Sequence, residues 1–203
     1  ERAARAGVGQ DALEPVIHRL QRDARRARER MEKTLRSKRA ARLLERLERL
    51  VHQTLAHPGP RSAQALETRA ASEQAVRRAY RRMQRDSEAA VVPDAHIELL
   101  HELRKTAKRV RYTLEFLAPV FKRAEDAISH LKEVQEHLGA INDASVMLTR
   151  LRALGSRARK AKTSFALGVL VGSLEAELRA ERAAFERSWK KYDPRAERRR
   201  LIE

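Results

Sequence analysis

The chain has no cysteine, and its 203 residues hold only eight aromatics (four Phe, three Tyr, one Trp), seven Gly and six Pro. Without thiols it can build no disulfide framework, no thiolate zinc site and no cysteine nucleophile. So few aromatics argue against a stacking platform for single-stranded nucleic acid, and so few glycines and prolines against a turn-rich β-barrel. The missing cysteines fit a reducing cytoplasm. Long apolar runs are lacking as well. The longest, residues 166–171, falls far short of a membrane span, and the first ten residues hold no signal-peptide stretch. What is abundant is positive charge: 45 Lys+Arg stand against 28 Asp+Glu, a formal +17, and 35 of the 45 are arginine. Arginine keeps its charge at any ordinary pH, so the expected partner is an anion. With 36% charged and 42% hydrophobic residues the chain is a folded, soluble protein of one or two domains rather than a disordered one.

Apolar positions at steps of three and four predict an all-α fold of roughly seven helices packed as bundles, with no strand alternation anywhere. The first helix carries Leu13, Val16, Ile17, Leu20, Met31 and Leu35, with Asp11 and Glu14 as a capping box. Ser37 caps a second, bearing Leu43, Leu44, Leu47, Leu50, Val51 and Leu55, which stops at the turn His57-Pro58-Gly59-Pro60. A third, over residues 62–90, buries Leu66, Val76, Tyr80 and Met83. Asp94 then caps a helix over residues 95–117 that Pro119 ends. Gly139, at a helix C-terminus, separates residues 121–138 from a helix capped by Asn142 or Asp143, making an αα-hairpin. A long helix follows to about residue 192, and residues 194–203 form a charged, frayed tail. Ser164, Gly168 and Gly172 read as a small-residue packing face, and Phe165, Phe185 and Trp189 as core or bundle-end residues.

The positive charge is localised. Residues 19–49 hold 13 basic and five acidic residues, 101–123 hold seven and two, and 144–174 hold six and none, whereas 125–147 hold one basic and five acidic. Such placement focuses a field better than a uniform coat. At about 100° per residue, His101, Arg104, Lys105, Lys108, Arg111, Tyr112 and Glu115 share a sector of roughly 120°, with Arg109 just outside it. Leu99, Leu103, Ala107, Val110, Leu114 and Leu117 occupy the opposite side. An ordinary solvated face mixes signs, and this one is nearly single-signed. The arginine pairs at 77–78 and 81–82 either join this lining or lie in solvent.

His101-Glu-Leu-Arg104-Lys-Thr-Ala-Lys108-Arg109-Val-Arg111-Tyr112-Thr-Leu-Glu115 resembles the signature helix of the conserved histidine α-helical domain, the CHAD family, with its pattern H-x-x-R-x-x-x-K-R-x-R-Y-x-x-E. Lys132, Gln135, Leu138-Gly139 and Asn142-Asp143 resemble the helix-loop block that follows it. The likeness is close over residues 94–192 and loose over 11–90. It implies tandem antiparallel four-helix bundles around a basic groove or pore that holds inorganic polyphosphate without catalysis. On that reading residues 1–92 are the remainder of the first bundle with a linking helix, and 93–203 are the second. The implied contacts are His101, Arg104, Lys108, Arg109, Arg111 and Tyr112, with Lys105 added by its place on the same face and Lys132 from the second block. Sulfate or phosphate would be small stand-ins for the polymer. The resemblance also implies proteins of polyphosphate granules, hence a cytoplasmic place, no membrane and no cofactor. One departure stands out: no first copy of the basic block precedes Asp94, since His18 lacks an arginine three residues on, so the chain reads as starting inside the first bundle with that bundle incomplete.

Two rivals remain on the residues alone. Non-specific nucleic-acid binding, at least weak, follows from +17, although no RNP block or zinc-finger spacing accompanies it. A metal-dependent phosphate-processing enzyme would need ligands such as His130 and His137, seven apart on one helix face, which read instead as buried or capping histidines. Lys105 stands where H-E-x-x-H needs its second histidine.

Overall fold

The computed structural model describes residues 7–56, 61–92 and 94–202. The turn expected at residues 57–60 and the side chains of Leu55 and Leu66 lie outside them. Among the described residues there are seven α-helices and no strand: α1 (Gln10–Leu35), α2 (Lys38–Ala56), α3 (Arg61–Ala90), α4 (Ile97–Leu117), α5 (Ala124–Gly155), α6 (Ala161–Lys191) and α7 (Pro194–Ile202), with a short 3-10 turn, Ala118–Val120, after α4. The all-α bundle is as expected. No helix among the described residues is long and apolar enough to cross a membrane.

The long α5 and α6 pack along each other and carry two cores. The larger takes Val76, Tyr80 and Met83 from α3, Leu103, Val110 and Leu114 from α4, Leu131, Leu138 and Ile141 from α5, Phe185 and Trp189 from α6, and Leu201 from α7. The smaller joins Leu13 and Val16 of α1 to Leu148 and Leu151 of α5 and Leu167 and Leu174 of α6. Leu178 borders both. The larger core therefore draws side chains from both sides of residue 92. Each fully buried leucine contributes about 1.5–3 kcal/mol, which is ample to set helix pairing. α4 sits between α3 and α5, so one edge of its outer face borders each neighbour.

The helix count agrees with the sequence reading for a reason it did not contain. The two helices expected either side of Gly139 are one, because Leu131, Leu138, Ile141, Leu148 and Leu151 supply an uninterrupted buried stripe. Burial of that stripe outweighs the cost of about 1 kcal/mol for glycine in a helix interior. Asn142 and Asp143 cap nothing. Conversely, the expected frayed tail is α7: Asp193 Oδ1 accepts the amides of Arg195 (2.8 Å) and Ala196 (3.1 Å), with Pro194 behind it. Those bonds hold the Asp193 carboxyl below its ordinary value. Asp193→Ala removes the cap and is expected to cost about 1 kcal/mol.

Other cap assignments move by a residue or two. Gly9, not Asp11, precedes α1, and Asp11 pairs with Lys162 of α6 instead. His96 precedes α4, while Asp94 takes a left-handed backbone, φ 58°, that turns the chain. Ser37 does cap α2, its Oγ accepting the Ala40 amide at 3.3 Å. The apolar stripe of α2, Leu43, Leu44, Leu47, Leu50 and Val51, is exposed, as are Met31 and Leu35 on α1. Amphipathic spacing shows which side of a helix is apolar and does not supply a neighbour for it. Phe185 and Trp189 are buried, but Phe165 is 74% exposed. Gly168 and Gly172 face open space, so the small-residue face packs nothing among the described residues.

At one end of the larger core α7 is held by a polar knot. Tyr80 Oη and Tyr192 Oη both donate to Glu197 Oε2, at 2.8 and 2.6 Å, and His130 Nδ1 meets Oε1 at 2.8 Å. Burial, then the Glu197 carboxylate, push the Tyr80 phenol far above its usual value. The linkage sign follows. This stabilisation is complete below the unfolded value of about 10 and is lost above it, where the unfolded chain ionises and the folded one does not. Thermal unfolding is expected to show stability falling by up to about 1.4 kcal/mol for each pH unit above 10 through Tyr80 alone. Tyr80→Phe is expected to flatten that decline.

Candidate anion-binding groove

The signature helix α4 turns Leu100, Leu103, Ala107, Val110 and Leu114 inward, and with them fixed its basic side must face out. Leu99, expected in the apolar stripe, lies at the exposed edge, and Leu100 takes its place inside. The outer face divides between two neighbours.

On the α5 side, residues of the two signature blocks bond to each other. His101 Nδ1 lies 3.0 Å from Asn142 Oδ1. Because that oxygen can only accept, Nδ1 carries the proton. Arg111 donates from Nε to Gln135 Oε1 (3.1 Å) and from Nη1 to Glu115 Oε1 (2.8 Å), and its guanidinium stacks on Tyr112 at 4.6 Å. Gln135 Nε2 in turn donates to the Ala107 carbonyl at 3.3 Å, locking the two helices in register. Arg104 is half-buried, with its Nε closed off from solvent and lacking a hydrogen-bond partner among the described residues. Lys132 is exposed, and the antiparallel register puts it level with Arg111.

On the α3 side there is a groove. A hollow of about 710 Å³ is lined by Ala75, Ala79, Arg78, Arg81, Arg82 and Arg85 of α3 with Arg109 and Thr113 of α4. A second, of about 800 Å³, shares Ala75, Arg109 and Thr113 and adds Ala71, Lys105, Lys108, Tyr112 and Phe116. Together the two linings present seven cations and no acidic residue. Glu102 lies beside them and pairs with Lys105 at 2.5 Å, a bond that holds its carboxyl below the ordinary value. Cations at i,i+4, such as Arg78 with Arg82 and Lys105 with Arg109, repel by a few tenths of a kcal/mol each. A polyanion in the groove removes that cost.

The structure thus divides the sequence-derived residues. Lys105, Lys108, Arg109 and Tyr112 line the groove; His101, Arg104 and Arg111 sit on the α5 flank; Lys132 lines neither hollow. Of the α3 arginine pairs left open by the sequence, Arg78, Arg81 and Arg82 line the groove and Arg77 lines neither hollow, while Arg85 and Phe116, which also line it, were not foreseen. A separate basic hollow of about 300 Å³ brings Arg19 and Arg30 of α1 to Arg150 and Arg157 near the end of α5, around Asp23. Two of the basic segments of the sequence meet there.

His130 and His137 are neither buried nor capping: they bond to Glu197 of α7 and Glu181 of α6 (2.6 Å), two separate carboxylates. Among the described residues no three His, Asp or Glu side chains gather as a metal-binding group.

The chain is thus an all-α bundle that carries a groove lined by cations alone among its charged residues. The CHAD domain family model matches residues 1–152 of the 203, and the chain belongs to that family. The match takes in α1 to α4 and most of α5, and α6 and α7 complete the bundle beyond it. No curated protein matches the chain.

Proposed function

We propose that the protein binds inorganic polyphosphate, without processing it, along the α3/α4 groove and the α4 face above it. The observation that carries this reading is the pair of hollows between α3 and α4, whose linings hold seven cations, four from α3 and three from the signature helix α4, and no carboxylate. Polyphosphate is flexible, carries about one charge per phosphate and has no edge to read, so its recognition needs many cations at helix spacing. Arginine supplies forked donors to phosphate oxygens and lysine a mobile point charge. His101 is placed to add a contact through Nε2, and Tyr112 a neutral hydroxyl. A cytoplasmic protein at polyphosphate granules is the setting that fits this reading.

The test is affinity for medium-chain polyphosphate across salt. Neutralising several phosphates releases counterions, so log K is expected to fall against log salt with a slope on the order of −4, and an affinity flat between about 50 and 200 mM would overturn the proposal. Polyphosphate is expected to displace DNA at equal phosphate concentration. The reverse would favour the nucleic-acid reading. Chain length unchanged after incubation with magnesium is the result expected of a binder, and shortening that of an enzyme.

A further inference from the structure

Phe116 is 84% exposed on an otherwise charged helix face, and beside it Tyr112 is 52% exposed. Both line the wider hollow, whose α3 wall is built of small residues, Thr68, Ala71, Ser72 and Ala75. An inorganic phosphate chain has no apolar surface to cover either ring. The groove is therefore two-natured. One end is aromatic and apolar, Lys105, Lys108 and Arg109 with Arg78 occupy the middle, and Arg82 and Arg85 form the other end.

We infer that this groove takes a nucleoside polyphosphate, its base against Phe116 and Tyr112 and its phosphates on the lysines and arginines beyond. The inference rests on the polyanion reading above and goes past it in naming a base. From Phe116 to Glu102, level with Arg82, the groove spans 14 residues of α4, about 20 Å at 1.5 Å per residue, enough for one base and several phosphates in line. Each hollow lies within the range of about 300–1,000 Å³ usual for small-molecule sites. A single-stranded nucleic acid is the poorer fit, because it needs a series of stacking rings along the strand, and these two linings hold one aromatic pair at one end.

The full 203-residue chain is titrated, without added magnesium, with adenosine triphosphate, inorganic tripolyphosphate and medium-chain polyphosphate. Tripolyphosphate has one more ionisable oxygen, so charge alone ranks it at least equal to the nucleotide. Base stacking reverses the order, with the nucleotide expected about tenfold tighter. Phe116→Ala, at an exposed position that leaves the core intact, is expected to remove the nucleotide's advantage and leave tripolyphosphate affinity within about twofold. Polyphosphate bound but the nucleotide no tighter than tripolyphosphate overturns this inference alone, as does an advantage that survives Phe116→Ala. No binding of medium-chain polyphosphate overturns the reading beneath it.

Discussion

Replacing Arg78, Arg82 and Arg109 together by glutamine is expected to weaken polyphosphate binding about a hundredfold at moderate salt, with the helical content unchanged. Each side chain lines the hollow between α3 and α4, and all three are exposed, so nothing in the core depends on them. A charge-assisted contact contributes about 1 kcal/mol or more after desolvation, and three lost contacts reach two powers of ten. Each lost phosphate contact also flattens the salt dependence by about 0.7–0.9, so the slope should shrink by roughly 2. The variant's stability should hold or rise slightly, because Arg78 and Arg82 are like-charged neighbours at i,i+4. A triple variant that binds as tightly as the parent, with the same slope, would place the polyanion elsewhere.

The contrasting substitution is Arg111→Gln. Arg111 is committed to Gln135, Glu115 and Tyr112, so its loss disturbs the α4–α5 register as well as any ligand contact. Arg104, Lys108 and Arg111 share one sector of α4 by spacing, but the structure makes them different: Lys108 lines the groove, Arg104 is half-enclosed and Arg111 is a tie between helices. Periodicity placed them on one face correctly. What it could not contain is the neighbour at each edge of that face, since α3 and α5 are set beside α4 by cores that depend on tertiary packing.

The same distinction runs through the fold. In α3 and α4 the apolar period and the burial coincide at Val76, Tyr80 and Met83 and at Leu103, Ala107, Val110 and Leu114, so these positions were legible, whereas Leu99 gives way to Leu100 inside. Gly139 with Asn142-Asp143 misled because each has a local reading as a helix stop, while Asn142 in fact serves His101 across the bundle. A local signal loses where a long stripe can be buried on both sides of it. α7 is the opposite case. Asp193-Pro194 is an N-cap followed by proline at the first helical position, a start signal present in the sequence and overridden by the charged composition after it. Phe116 was invisible for another reason: it falls among the cations of α4 by spacing, yet only the small residues of α3 opposite it make a hollow there.

Glu197→Ala is expected to lower stability by about 3 kcal/mol, a drop in Tm of roughly 6–12 °C for a chain of this size. Glu197 is the shared acceptor of Tyr80, Tyr192 and His130, and Tyr80 is almost fully buried in the larger core. Truncation leaves the Tyr80 hydroxyl without its acceptor, costing about 1–3 kcal/mol, and repeats a smaller loss at Tyr192. It also frees α7, whose Leu201 closes the core against α3 and α5. Glu197→Gln keeps an acceptor oxygen and should recover about half the loss, because only the charge-assisted part of the bonds is gone. Tyr80→Phe in the Glu197→Ala background should then cost little, since the hydroxyl it removes is already without its acceptor, and full additivity of the two would show that the knot does not act as a unit. α7 lies outside the span that matches the family, yet through Glu197 it secures α3, the helix whose arginines line the groove. Polyphosphate affinity in Glu197→Ala should therefore fall on warming at lower temperature than in the parent, tracking the loss of α7 rather than any change in charge.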